Sequence, residues 1–438
     1  MKEIWFVFSL VVSCSSERIL AVTPSHENQA AFQPLWKELV SKGHHITLLT
    51  TDSQANWSLK KVNEINLGSA LSTTFEKLDH PKVRALIADQ TERFDLLMVD
   101  YTMPELLLFS QRFNCPSIGL LAKEVPIPAL YDIGNPTYPY PRRFRDRIAN
   151  VVNNYLSEWL VAFRHRELQK LFGSNHPPSR DPSALLVFSN QMLLQNRPLV
   201  PNVIQVGQLT NDNAIPKDVL PFLDEATEGF IYINLAVPPH GLLEALADIP
   251  YKLVWDSILD NQQKKPPNML TRKHLPRRAI LEHPKIKLLV TSGDLQTLDD
   301  AVSGHVPVIC MPLDSSDEES CRTVVVDKGF GISIDPETLH GEDLKRRIDE
   351  VVLNPLYRDN LQRFAKLLRN SPLGGLDLAV WWTEYVLRHN GAPHLRSPLC
   401  DLPWWQYLFI DVLLAYLLIT LCLLVIIGKV IGHFVKLN

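Results

Sequence analysis

Short apolar runs alternate with helix-length amphipathic segments along most of the chain, and residues 283–312 show this pattern most clearly. Two runs of aliphatic and β-branched residues, Ile286–Val290 and Val306–Met311, have the composition of strands buried on both faces of a sheet. A helix-length segment that opens with a Ser-Gly-Asp turn lies between them. In parallel sheets, ligands bind where a strand ends and the next helix begins. The pattern therefore predicts a strand, helix, strand unit with Thr291–Thr297 as a candidate binding loop.

The first half of the chain has the same alternation. Strands are predicted at Ile19–Val22, Ile46–Thr50 and Leu96–Val99, and the spacing of apolar residues over 28–40 predicts a helix between the first two. Residues 53–94 are predicted to be irregular or to form short helices. These elements indicate a parallel α/β sheet.

The second half adds further strands, predicted at Phe230–Leu235 and Lys252–Trp255, before the unit at 283–312. A polar segment containing Pro216 separates the two halves and predicts a linker. Three helices are predicted after the last strands, near Gly341–Val352, Pro355–Leu368 and Leu376–His389.

Composition bounds the class of protein. With 438 residues and 46% hydrophobic content, the chain can form two domains of ordinary size. Its net charge of -4 gives no basic surface for nucleic acid.

Cys115 and Cys310 lie in apolar runs and are predicted to be core thiols rather than part of a disulfide framework, and no cysteine spacing is typical of a metal site. Asn56 begins an Asn-Trp-Ser glycosylation sequence.

Both ends of the chain have membrane-targeting patterns. The apolar run Ile4–Val12 is followed by small residues, which predicts a signal peptide cleaved near Ser16. Leu408–Ile427 contains only one charged residue, Asp411, and is long enough to cross a bilayer. Because Lys429 follows this span, the predicted orientation is type I, with a short cytoplasmic tail.

Several longer segments are informative as whole sequences. They are NMLTRKHLPRRAILEHPKIKLLVTSGDLQTLDDAVSGHVPVICMP, PSHENQAAFQPLWKELVSKGHHITLLTTD, FDLLMVDYTMPELLLFSQRFNCPSIGL and LDLAVWWTEYVLRHNGAPHLRSP. Together they resemble the UDP-glycosyltransferase family, in particular the animal, insect-like UDP-glucuronosyltransferases. The resemblance implies an α/β fold of GT-B architecture, in which two Rossmann-like parallel-sheet domains face each other, with one C-terminal transmembrane helix. The implied organisation is a signal peptide (1–16), an N-terminal acceptor-binding domain (17–209), a linker (210–221), a C-terminal UDP-sugar-binding domain (222–370), a C-terminal helix and juxtamembrane segment (371–402), a transmembrane helix (403–428) and a cytoplasmic tail (429–438).

The resemblance also implies a catalytic pair. His26 matches the histidine that serves as catalytic base after the first strand, and Asp100 matches its aspartate partner, with Asp95 as the lesser alternative. A carboxylate on the second ring nitrogen of a histidine fixes its tautomer and stabilises the imidazolium that forms when it takes a proton.

The implied donor-binding residues depart from the family at several positions. His274 stands where a tryptophan stacks on uracil, and it offers less stacking area. Arg277 stands where a glutamine bonds the edge of the base. Ser292 replaces the histidine that bonds the diphosphate, and Asp294 replaces the second glycine of a turn in which Gly293 is retained. A carboxylate at this position repels phosphate unless it points away.

Other donor-binding positions are retained or shifted. Gln296 and Thr297 match the family, and the threonine keeps a hydroxyl for phosphate. Asp300 stands where a longer glutamate holds the ribose hydroxyls. For the carboxylate and amide pair that binds the sugar, two alignments stay open: Asp317 with Glu318, or residue 316 with Asp317.

The function implied by the resemblance is an inverting transfer of glucose or glucuronic acid from UDP-glucose or UDP-glucuronic acid to a hydroxyl of a small lipophilic acceptor. The UDP-sugar is a co-substrate, and no metal or other cofactor is expected. The implied location is the endoplasmic reticulum membrane, with the catalytic part in the lumen. The alternative is a catalytically impaired pseudoenzyme or partner subunit of the same fold. Assembly into homo- or hetero-oligomers stays open.

Overall fold

Two parallel sheets with helices packed on them form the protein in the computed structural model. The predicted signal peptide up to residue 15, the glycosylation sequence at Asn56 and the predicted donor residue His274 lie outside the described residues. Those described are 16–23, 26–50, 61–67, 80–122, 125–135, 166, 172, 181–190, 192–193, 199–207, 209, 214–235, 242, 246, 249–256, 266–272, 275–313, 315–336, 341–368, 373–407 and 409–437.

The first sheet has seven strands in the order β3-β2-β1-β4-β5-β6-β7, all parallel. Alternate residues of β1 pack into separate apolar clusters on its two faces, Leu20 and Val22 into one and Ile19 and Ala21 into the other. This explains the unbroken apolar runs, because both faces are covered. The elements are β1 (Arg18–Thr23), α1 (His26–Ser41), β2 (His45–Thr50), β3 (Val62–Asn66), α2 (Pro81–Ala88), β4 (Leu96–Asp100), α3 (Leu108–Phe113), β5 (Ser117–Leu121), α4 (Ile127–Asp132), β6 (Ala184–Val187) and β7 (Val203–Gln205).

One strand of this sheet contradicts the sequence prediction. β3 lies within the stretch that was expected to be irregular or helical, and it pairs with β2 at the edge of the sheet. None of its residues is fully buried. An edge strand with one neighbour does not need an apolar run, so the hydrophobic pattern does not reveal it.

The second sheet has six parallel strands in the order β10-β9-β8-β11-β12-β13. It confirms the predicted strand, helix, strand unit. Its elements are α5 (Leu220–Asp224), β8 (Phe230–Asn234), β9 (Lys252–Trp255), β10 (Met269–Thr271), α6 (Arg277–Leu281), β11 (Ile286–Thr291), α7 (Leu295–Gly304), β12 (Val308–Cys310), α8 (Ser315–Ser320), β13 (Gly331–Ser333), α9 (Gly341–Leu353) and α10 (Pro355–Leu368).

The cysteine prediction is wrong at Cys310. This residue ends β12 and forms a disulfide with Cys321, eleven residues later, with 5.8 Å between the two Cα atoms. Cys321 begins a π-helical turn that continues α8 and brings the sulfur back over the end of β12. The apolar surroundings of Cys310 are as expected, but its partner comes from a different element. Cys115 is a buried free thiol, as predicted.

The chain returns to the first domain after the second. Helix α11 (Gly375–Arg388) packs against α1, and Ala379, Val380 and Val386 join the apolar cluster on one face of the first sheet. A Cβ atom on Gly375 would lie 2.2 Å from the carbonyl oxygen of Val206, so this approach needs glycine. The segment that follows the second sheet in sequence is therefore part of the core around the first sheet.

Two helices end the described chain, α12 (Trp404–Tyr407) and α13 (Ile410–Leu437). The Ile410–Gly432 part of α13 is long and apolar enough to cross a membrane, and none of it is buried against the rest of the protein. An uninterrupted apolar helix with no protein cover is typical of a membrane span.

Candidate active site

The carboxylate of Asp100 lies fully buried at the carboxyl end of β4. Its Oδ2 atom accepts a hydrogen bond of 2.7 Å from Nδ2 of Asn28, in the first turn of α1. Its Oδ1 atom accepts from the backbone N–H of Thr102 at 3.1 Å and from the hydroxyl of the same residue at 2.7 Å. All three donors are neutral. The carboxylate is therefore held in place, while its charge stays available to stabilise a cation beside it.

The backbone of His26 lies at the same edge of the sheet. His26 is the first residue of α1, which follows β1, and β1 and β4 are paired neighbours. The hydrogen bond from Asn28 ties this first turn to Asp100. The side chain of His26 is not among the described parts, so its contact with Asp100 stays a prediction. Asp95, the lesser alternative, lies beyond the opposite end of β4, where it accepts from the backbone N–H of Arg18 at 2.7 Å.

The predicted donor loop connects β11 to α7. Gly293 has a φ of +113°, and a Cβ atom there would lie 2.6 Å from the Cys321 sulfur and 3.0 Å from the Cys310 sulfur. The backbone therefore needs glycine both for its conformation and for its close packing on the disulfide. The carbonyl group of Ser292 also faces this disulfide, at 3.3 Å from the Cys321 sulfur.

The carboxylate of Asp294 caps its own helix. Its Oδ1 atom accepts a hydrogen bond of 2.9 Å from the backbone N–H of Thr297, which is one of the N–H groups left unpaired at the start of α7. A helix N-terminus is where a phosphate would be expected to bind. In this chain a carboxylate of the protein occupies that position. A phosphate and a carboxylate suit this position for the same reason, since each supplies negative charge and an acceptor oxygen.

A second set of contacts joins Arg277 to the loop. Its Nε atom lies 2.6 Å from Oδ2 of Asp300, and Nη1 donates to the Thr297 hydroxyl at 2.8 Å. Nδ2 of Asn234 donates to the same hydroxyl at 2.7 Å. The predicted phosphate-binding hydroxyl thus already accepts two hydrogen bonds. Sequence reasoning did not identify Asn234, although a polar residue at the carboxyl end of a buried strand, next to β11, is a usable signal.

Negative charge is concentrated under this loop. Asp300 is 2% exposed, and among the described residues its Oδ1 atom has no hydrogen-bond partner. Burial, and then the charge of Asp300, raise the pKa of the neighbouring Asp299 to about 7. For Arg277, burial acts to lower the pKa, but the charges of Asp300 and Asp294 outweigh it and raise the pKa above its usual value. Arg277 therefore stays charged and partly neutralises the neighbouring carboxylates.

The three remaining predicted donor residues lie on α7 and α8. Nε2 of Gln296 donates to the carbonyl oxygen of Ala122 at 3.4 Å, and Ala122 follows β5 in the first domain. Asp317 is half-buried on α8, and its carbonyl oxygen would lie 3.1 Å from a Cβ atom on Gly293. Glu318 is exposed on the same helix. The structure thus places Asp317, which both alignments include, beside the donor loop.

Two Rossmann-like parallel sheets with polar loops at their carboxyl edges have the GT-B architecture. Solved structures support this fold: the spinosyn forosaminyltransferase SpnP aligns with a TM-score of 0.63 at 16% identity, over 85% of this chain and all of that one.

The family follows from the sequence comparisons. The model of the UDP-glucoronosyl and UDP-glucosyl transferase family matches residues 137–437, and the chain belongs to this family. UDP-glycosyltransferase UGT5 of Dactylopius coccus is 29% identical over 393 residues, covering 81% of this chain and 74% of the relative. UDP-glucuronosyltransferase 1A6 of Mus musculus is 26% identical over 365 residues, covering 77% and 68%. The protein is a glycosyltransferase enzyme by family.

Proposed function

We propose that this chain is a single-pass membrane enzyme that transfers glucose or glucuronic acid from a UDP-sugar to a hydroxyl of a small lipophilic acceptor. His26 takes the proton of the acceptor hydroxyl, and Asp100 orients the imidazole and stabilises the imidazolium. The acceptor oxygen attacks the anomeric carbon from the side opposite UDP, so the configuration inverts. The proposed location is the endoplasmic reticulum membrane, with both domains in the lumen.

The hydrogen bond between Gln296 and Ala122 is the observation that carries this proposal. It joins the start of α7 in the second domain to the residue that follows β5 in the first. β5 pairs with β4, and Asp100 ends β4. The predicted donor loop and the predicted base partner therefore line the same cleft from opposite sides, which a direct transfer between donor and acceptor requires.

Donor binding needs an exchange of partners within the loop. The Thr297 hydroxyl and backbone N–H are both engaged by the protein itself. A diphosphate that approaches α7 replaces the carboxylate of Asp294 at the helix N-terminus, while Arg277, which bonds the Thr297 hydroxyl, supplies positive charge beside it. Among the described residues, the Oδ1 atom of Asp300 has no hydrogen-bond partner, so it can accept a hydrogen bond from a hydroxyl group of the UDP-sugar.

The test combines nucleotide binding with turnover. Full-length protein in detergent is titrated with UDP by calorimetry, and transfer from UDP-glucose and from UDP-glucuronic acid is assayed with a phenolic acceptor. We expect His26→Ala to abolish turnover and to leave UDP binding unchanged, because the base does not contact the nucleotide. Turnover retained in this variant would remove His26 from the mechanism.

A second candidate function is that of a non-catalytic partner subunit with the same fold. The observation that favours it is the capping of α7 by Asp294, since it fills the predicted diphosphate position with negative charge. The combined change Ser292→His and Asp294→Gly separates the two candidates. Under the enzyme proposal it strengthens UDP binding and turnover together. Stronger UDP binding with no turnover from either protein would favour the partner subunit.

A further inference from the structure

The segment between α11 and the apolar helix is fastened to the first domain. The Ser397 hydroxyl, which is buried, donates to the Gly134 carbonyl at 2.8 Å. Arg396 forms ion pairs with Asp181 and, at 2.8 Å, with Asp401. We call Arg396, Ser397 and Cys400 together the juxtamembrane staple.

Close packing shows that this attachment is specific. Gly134 has a φ of +65°, and a Cβ atom there would lie 2.8 Å from the Ser397 hydroxyl oxygen and 2.9 Å from both the backbone nitrogen and the sulfur of Cys400. Only glycine allows the staple to approach this closely. The staple therefore has one defined position on the first domain.

That position is the amino edge of the first sheet. Asp181 lies just before β6. Gly391, at the end of α11, packs beside Ser183 and Pro116. A Cβ atom on Gly391 would lie 3.0 Å from the Ser183 hydroxyl oxygen and 3.3 Å from Cβ of Pro116. These two residues precede β6 and β5 directly. Asp100 and Ala122 lie at the other ends of their strands, on the carboxyl edge.

The chain between the staple and the apolar helix is short. It consists of residues 401–409, between Cys400 of the staple and Ile410, and four of these form α12. With a rise of 1.5 Å per helical residue and at most 3.6 Å per extended one, the segment reaches no farther than about 24 Å. The start of α13 is therefore held close to the amino edge of the first sheet, and far from the second domain on the other side of the cleft.

We propose that the amino edge of the first sheet is the surface that lies on the phospholipid headgroups, and that the staple holds it there. This inference rests on the proposed membrane span. The acceptor-binding domain is then the membrane-proximal one, the cleft opens at least one strand length from the headgroups, and the donor domain lies outermost. A strand of five residues is about 17 Å long.

Energy transfer to labelled lipids tests this arrangement in the full chain. The protein is reconstituted into phosphatidylcholine nanodiscs with a headgroup-linked acceptor dye. An azide-bearing amino acid, which leaves the native cysteines untouched, is introduced at Arg93 or at Glu228 and carries the donor dye. Both residues are exposed, Arg93 at the amino edge of the first sheet and Glu228 just before β8 in the second domain. We expect several-fold higher transfer from position 93. Equal transfer, or the reverse order, would overturn the proposal.

Release of the staple tests its role. Arg396→Gln combined with Ser397→Ala is expected to lower transfer from position 93 and to narrow the difference from position 228. The control is Arg388→Gln, which breaks an exposed ion pair with Glu384 on α11 and leaves the staple intact. Unchanged transfer after release would show that the staple does not set the orientation.

The outcome is separable from that of the proposed function. Flotation of the discs reports whether the chain inserts at all, and a chain that stays outside overturns the span and this inference together. Higher energy transfer from position 93 than from position 228, in a protein that fails to bind UDP, would support the proposed membrane-facing edge. The same result would count against the transferase proposal.

Discussion

The two halves of the candidate site are built with opposite electrostatics. In the first domain, the buried carboxylate of Asp100 is surrounded by three neutral donors from Asn28 and Thr102. In the second, Arg277 and Asp300 form an ion pair beside further carboxylates. A carboxylate with neutral donors keeps its charge for a passing cation, such as an imidazolium. A paired charge must leave its partner before it can serve a ligand.

The difference indicates on which side of the site internal contacts must break before a ligand can bind. Asp100, the proposed partner of the base, is held in place before any substrate binds, because its hydrogen bonds need not change during the proposed proton transfer. The proposed donor loop is also organised, but its polar groups bind one another. Any nucleotide affinity is therefore the difference between contacts formed and internal contacts broken, and changes at Asp294 or Arg277 alter both terms.

The largest expected effect comes from Arg277→Gln. This change removes the partner of Asp300, which is 2% exposed, and leaves a buried charge uncompensated. We expect a loss of about 3–5 kcal/mol in unfolding free energy, measured by urea denaturation, and recovery of most of it when Asp300→Asn is added. The control is Arg272→Gln, whose partner Asp218 is exposed, and the expected loss is much smaller because solvent screens that pair. Equal losses in the two single variants would contradict a buried pair.

The next effect concerns Asp299 and pH. Its pKa rises from 3.8 to about 7 on folding, so between these values the folded state holds a proton that the unfolded state has lost. Stability should therefore fall as pH rises from about 4 to about 7, by up to about 4 kcal/mol. Asp299→Asn should remove this contribution, which denaturation at a series of pH values would show. Asp343→Asn, on the exposed side of α9, is the control. An unchanged pH dependence in Asp299→Asn would refute the assignment.

The smallest effect is expected at Asn28. Loss of its hydrogen bond in Asn28→Ala leaves Asp100 less firmly held, and we expect turnover to fall by about tenfold, or about 1.4 kcal/mol, with little change in KM for the UDP-sugar. Gln29→Ala is the matched control, because this buried neighbour on the same turn bonds Thr50 instead. The two variants should lose similar stability and differ in turnover. If both lose turnover equally, Asn28 has only a structural role.

Much of the fold could be predicted because its strands are buried on both faces. The predicted bounds of Lys252–Trp255 and Pro355–Leu368 agree with β9 and α10, and most other bounds differ by one or two residues. β3, which was expected to be irregular or helical, is an edge strand without an apolar run. No strand was predicted at the positions of β5, β6, β7, β10 and β13. Asp100 at a strand end followed from the same pattern, once the resemblance had pointed to it.

The partners of the site residues could not be predicted in this way. Asp294 was expected to disfavour phosphate by its charge, but its role as the cap of α7 depends on backbone angles in the loop. Asn234 and Arg277 meet at Thr297 because β8 and α6 flank β11 and α7 in space, although 20 to 63 residues separate them from it in sequence.

The sequence by itself determined many of the buried strands and the longer helices, the edge of each sheet that carries polar residues, and the family to which the chain belongs. These features depend on local periodicity and on motifs, both of which are written along the chain. Only the tertiary structure decided that Cys310 pairs with Cys321, that α11 joins the core of the first domain, and that the staple lies on the amino edge of its sheet. The physical reason is that the same apolar or polar side chain can meet many partners, and packing of distant elements selects one of them.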